Sequence, residues 1–171
     1  GPRLDWLPWL APIFTDQGSF ELSPEEFRVH PGATPFRRYQ LKAGVDPKTV
    51  RFTKMPHSGF ALESWREFKR LKDAGVIPKE VRYQCDIASI PSLLAAFLVE
   101  PLHGDLADAL EAAVIAEIGK ICAAIPHDQL AIQFDVASSI FFHLETGKPT
   151  KFGATVDEMM KSFVPLHLRL G

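Results

Sequence analysis

Cysteine is scarce in this chain: two residues in 171, Cys85 and Cys122, far apart and outside any C-x-x-C spacing. That excludes a disulfide framework and a zinc knuckle, and it predicts that both thiols are reduced. Long apolar runs are missing too. The longest uncharged one, "SLLAAFLV" from Ser92 to Val99, is far short of the roughly 20 residues that cross a bilayer. The amino terminus lacks the charged-then-apolar pattern of a signal peptide. Neither sign of charge dominates: the formal net charge is -2, so no field gathers nucleic acid or an anionic lipid surface. These absences together predict a cytoplasmic protein with neither nucleic acid nor membrane as partner.

Several enzyme signatures are absent as well. The chain has no G-x-G-x-x-G, no G-x-x-x-x-G-K-[ST] and no G-x-S-x-G, which excludes a dinucleotide fingerprint, a P-loop and a nucleophile elbow. His30, His57, His103, His127, His143 and His167 show neither H-E-x-x-H nor H-x-H spacing. The basic stretches "FRRYQ" and "FKRLK" are short and read as solvated faces. No internal repeat or low-complexity segment is present.

The length suits one domain of roughly 100–200 residues, here taken as 1–171. Residues 1–49, rich in proline and aromatic side chains, read as irregular wrapped chain. Within them "SPEEF" places Ser23 as a helix cap, Pro24 at the first helical position and Glu26 three residues after the cap. From residue 50 onward βα units follow. "VRFTK" (Val50 to Lys54) alternates as a strand does, and Leu62, Trp65, Phe68 and Leu71 then recur at helical spacing. "VRYQC" (Val81 to Cys85) predicts a second strand, and "LLAAFLV" a short buried helix. Leu106, Leu110, Val114, Ile118, Ile121 and Ile125 predict one long amphipathic helix from about Asp105 to Ile125. "LAIQF" (Leu130 to Phe134) is a third strand, nearly continuous in apolar residues, as strands buried on both faces are. Helical patterns follow at Ile140 to Glu145 and from Thr155, where Thr155 and Glu158 make a second capping box.

Strand and helix in alternation imply parallel pairing, hence an α/β class, either an open doubly wound sheet or a (β/α)8 barrel. Three strands cannot close a barrel, which takes eight strands and about 250 residues. A barrel reading therefore makes this chain about the first half of one. It also predicts self-association or the need for a second half, because bare strand edges and helix faces attract partners.

In both architectures ligands sit at the carboxyl ends of the strands. Three loops qualify, at "MPHSG", "DIASIPS" and "DVASS". Asp86 and Asp135 each follow directly on a strand, and Gln84 and Gln133 stand two residues before them, on the same face by the period-two rule. An Asp there also serves as a helix cap, and a Gln as a backbone partner. Of the histidines, His57 alone lies on the expected site face. Cys122, among alanines on a helix, reads as a small core residue, and so does Cys85, although its strand ends at the site face.

The stretch "VRYQCDIASIPSLLAAFLVEP", followed by "LEAAVIAEIGKICAAIPHDQLAIQFDVASS", resembles the uroporphyrinogen decarboxylase and cobalamin-independent methionine synthase superfamily, in particular its methionine-synthase-like branch. The likeness covers roughly Leu62 to Gly171 and is carried by the loop Ser89 to Pro91, by "ICAAIP" and by "AIQFD". It implies a (β/α)8 TIM barrel and transfer of a methyl or alkyl group to a thiol, the thiol being activated by zinc whose ligands lie beyond Gly171. In that reading Asp135 holds the amino group of the acceptor, and Gln133, Gln84, Asp86, Ser89 and His57 line the small-molecule pocket. The same superfamily implies two alternatives, a metal-free decarboxylase or lyase with Asp86 stabilising charge, and a non-catalytic scaffold or binding protein.

Overall fold

A computed structural model of the chain describes residues 6–28, 32, 34–135, 137–149 and 153–161. His30, His167 and Val136 of "DVASS" lie outside the described residues. The element order is α1 (Trp6–Leu10), α2 (Pro12–Thr15), β1 (Phe20–Phe27), β2 (Phe36–Leu41), α3 (His57–Asp73), β3 (Tyr83–Ala88), α4 (Ile90–Phe97), α5 (His103–Ala124), β4 (Leu130–Asp135) and α6 (Ala137–Thr146). A last helix, α7, covers 156–161. Among the described residues no helix is long and apolar enough to cross a membrane.

Helix α5 follows the apolar periodicity closely, whereas on α3 the buried face is His57, Ala61 and Trp65, with Leu62, Phe68 and Leu71 half-buried. On α5 the stripe from Leu106 through Leu110, Val114, Ile118 and Ile121, with Ile125 just past its end, is 1% exposed or less throughout. This stripe packs against α3 and α4. Helix α4 is buried on nearly every side, with Leu93 and Leu94 at its centre. Helix α7 opens on the expected capping box: the Glu158 N–H donates to Thr155 Oγ1 (3.2 Å), and Glu158 Oε2 reaches back to the Ala154 N–H (2.7 Å).

The half-barrel is not what forms. Among the described residues the chain builds a small α/β domain with two two-stranded sheets, β1–β2 antiparallel and β3–β4 parallel. The parallel pairing expected of the second and third predicted strands is present, joined by the crossover through α4 and α5. The first predicted strand, Val50 to Lys54, is not a strand. Its alternation is genuine, since Val50 and Phe52 are 3% and 6% exposed while Arg51 and Thr53 face solvent. The segment buries those two side chains without joining a ladder. The Thr53 N–H instead takes Gln17 Oε1 (3.3 Å), and the Arg51 guanidinium takes the Lys48 and Val50 carbonyls (both 2.8 Å). Alternation reports which side is buried, not which strand lies alongside.

The N-terminal part is likewise more ordered than an irregular wrap. β1 and β2 form a hairpin, and "SPEEF" belongs to β1 rather than to a helix. The register slips between Leu22 and Glu26, which makes Ser23, Pro24 and Glu25 a bulge. Proline is tolerated there because a bulge needs no ladder N–H. Ser23 Oγ accepts the Glu25 N–H (3.2 Å), the local bond that a helix cap would have made three residues on. The hairpin joins the rest through a bridge from Tyr39 to Leu98, where the Val99 N–H donates to the Tyr39 carbonyl (3.0 Å). Phe14 of α2 is the hub between these parts, fully buried and in ring contact with Phe97 (5.0 Å), Tyr39 (5.4 Å), Phe20 (5.6 Å) and Phe52 (5.8 Å).

Candidate ligand-binding site

The β3–β4 pair has one apolar and one polar face. Its register sets Gln84 opposite Ala131, Asp86 opposite Gln133 and Ala88 opposite Asp135. Because side chains alternate, these six share one face, while Cys85 and Ile87 turn into the core with Leu130. Gln84, Asp86, Gln133 and Asp135 are all exposed. Gln84 Nε2 donates to Gln133 Oε1 (2.7 Å), so the two glutamines form one amide pair across the strands. Burial pushes the Asp86 carboxyl above the ordinary carboxylate range and the negative charge of Asp135 adds to the rise, against a smaller pull from the Ile87 N–H. Four of the expected site residues are thus brought together.

Ser89 has a different setting. It is buried and caps α4, its Oγ accepting the Ser92 N–H (3.4 Å) and donating to Ser92 Oγ (2.9 Å). Its own N–H donates to the Asp135 carbonyl (2.9 Å), which ties the start of the crossover helix to the end of β4. Ser89 therefore fixes the backbone that carries Asp135.

His57 is the first residue of α3, only 4% exposed. It borders a cleft of about 290 Å³ lined also by Trp9, by Phe60, Ala61 and Ser64 of α3, and by β3 from Tyr83 to Ile87. The cleft touches both faces of β3, so it runs along the edge that β4 leaves open. Gln84 and Asp86 belong to both cleft and polar face, whereas Gln133, Asp135 and Ser89 do not line the cleft. Trp9 stands edge-on to His57 (5.9 Å) and to Phe60 (5.2 Å). The Tyr83 hydroxyl donates to the Ala61 carbonyl (3.1 Å), pinning β3 against α3. Burial lowers the His57 imidazole to about 4, only partly opposed by Glu117, so the ring is neutral near pH 7. Glu117 is itself buried on α5, and its carboxylate accepts the Ser58 N–H (2.8 Å) at the start of α3 and the Lys120 ammonium (2.5 Å).

Sequence reasoning missed Trp9, Phe60, Ser64 and Tyr83. Trp9 lies in the segment read as irregular, and Phe60 and Ser64 fall off the apolar stripe of α3. Nothing in the sequence alone sets Trp9 beside the distant helix that His57 opens.

Among the described residues no three His, Cys, Asp or Glu side chains gather as a metal site. The Cys85 thiol is pushed up to about 11, mainly by burial and further by Asp86 and Cys122, so it carries its proton near pH 7. None of the described residues lining the cleft is Lys or Arg, so among them a carboxylate-bearing ligand finds no counter-charge, whereas an amine finds Asp86. Comparison with family models, curated proteins and solved structures finds no match for this chain.

Proposed function

We propose that this chain binds a small amine at the carboxyl ends of β3 and β4, and that this amine also carries the thiol whose sulfur accepts a methyl or alkyl group as the group leaves its donor. The observation that supports the binding step is the placement of Asp86 and Asp135 on one exposed face, with the Asp86 carboxyl raised partly by its neighbour's charge. Two like charges held close favour a cation beside them, and an ammonium group relieves their repulsion. The Gln84–Gln133 pair supplies amide groups beside them. The transfer step is supported by the resemblance alone, which implies a thiol-activating zinc on ligands outside this segment. The decarboxylase alternative has less support, because the described residues of the cleft offer a carboxylated substrate no cation. The reading puts the protein in the cytoplasm, where Cys85 and Cys122 stay reduced.

Calorimetric titration tests the binding step. An amine such as propylamine is expected to bind, and propionate to bind at least tenfold more weakly. Asp135→Asn, which removes the charge and keeps the shape, is expected to weaken amine binding about tenfold, ~1.4 kcal/mol, while the melting temperature stays nearly unchanged. Equal affinity for amine and carboxylate, or an Asp135→Asn variant that binds as well as the parent, overturns the reading.

A further inference from the structure

The ring nitrogens of His57 are used neither by the packing nor by the amine reading. Both of its nitrogens are buried and, among the described residues, have no hydrogen-bond partner. A buried polar atom left unpaired costs about 1–3 kcal/mol, and a phenylalanine would fill the same space without that cost. The start of α3 does not need it, because Glu117 already receives the Ser58 N–H. The ring borders the cleft whose other walls are Trp9, Phe60 and Tyr83. The hydroxyl of Tyr83 is engaged by Ala61, so Tyr83 presents its ring as a wall. An orphaned imidazole beside an aromatic cleft that ends in a carboxylate has the features of a polar anchor awaiting its partner.

We propose that His57 contacts the ligand: its nitrogens are covered in this structure, and a shift of the Trp9 ring that stands edge-on to it lets the imidazole accept the uncharged O–H or S–H end of a small amine. The body of that amine lies among Trp9, Phe60 and Tyr83, and its ammonium end reaches Asp86. The inference rests on the amine reading above and adds a second recognised group. Aromatic walls suit both an aromatic ring and a sulfur atom, so a phenolic amine and a thiol amine share the required chemistry.

Two matched pairs test it by calorimetry near neutral pH: tyramine against phenethylamine, which lacks the hydroxyl, and cysteamine against propylamine, which lacks the thiol. The parent protein is expected to prefer the donor-bearing member of at least one pair by about tenfold, and the pair that shows the preference identifies phenol or thiol as the group. His57→Phe is expected to abolish that preference while the donor-free amines bind within about twofold of their parent affinity. If His57→Phe does not fold, His57→Leu is read in its place. No preference in either pair, or a preference that survives loss of the imidazole, overturns the role of His57. In that case binding of all four amines that disappears in Asp86→Asn leaves the amine reading standing. If none of the four binds the parent protein, both readings fall.

Discussion

Burial holds the His57 imidazole near 4, well under its ordinary 6.5, with Glu117 pulling weakly the other way. Between those values the unfolded chain binds a proton that the folded chain refuses, so stability rises with pH across the window and is lost as pH falls through it. At ~1.4 kcal/mol per unit, the loss on acidification from neutrality to about pH 4 is roughly 3 kcal/mol. His57→Phe is expected to flatten that part of the curve, read as urea midpoint against pH, and an unchanged slope would assign the dependence to other groups. Asp86 acts with the opposite sign. Its folded-state proton affinity is raised, so the stability it lends is present in acid and lost as pH rises through its folded value. Asp86→Asn is accordingly expected to raise the melting temperature near neutral pH while weakening amine binding. A stabilised variant that binds poorly marks a residue retained for its ligand, and a destabilised one would show the carboxylate to be structural.

At the scale of elements, period and pairing were legible to different degrees. The α5 stripe was complete in the sequence because a helix buries a contiguous face, and six positions at spacings of three and four admit no other reading. Glu117 lies on that buried side and was invisible, since a Glu in a helix reads as solvated until its partner on another element is known. Burial raises its carboxyl, but the bonds from Lys120 and Ser58 outweigh this and hold it below the ordinary range. Glu117→Leu fills the space but leaves the Ser58 N–H without its acceptor, and a loss of about 1–3 kcal/mol in urea unfolding is expected. A loss under about 0.5 kcal/mol would mean that water replaces the carboxylate at the helix start. Val50 and Phe52 teach the converse lesson. Their alternation reads as a strand but reports burial alone, because a ladder depends on what comes to lie beside the segment. Ser23 and Pro24 show the same limit, since one local hydrogen-bonding habit serves a helix cap and a bulge alike.

For the whole molecule, the sequence carried the α/β class and the parallel β3–β4 crossover but not the hairpin that completes the domain. The hairpin's packing depends on Phe14, a residue in a segment with no periodicity, whose importance comes from contacts with Phe20, Tyr39, Phe52 and Phe97 spread over the chain. Phe14→Ala is expected to cost about 3–5 kcal/mol, measured by chemical denaturation, with the hairpin amides losing exchange protection together with α4. The candidate site was legible in part for a reason of geometry: strand period and strand end placed Gln84, Asp86, Gln133 and Asp135 on one face before any coordinates. The aromatic half of the cleft was not, because Trp9 reaches it from outside the βα units. The most direct measurement of the central claim is a nitrogen-15 amide titration of the intact chain with an amine. The account predicts saturable shifts concentrated at residues 84–86 and 133–135, and their loss in the Asp86→Asn, Asp135→Asn double variant. Shifts scattered over the surface, or a double variant that titrates like the parent, would contradict it.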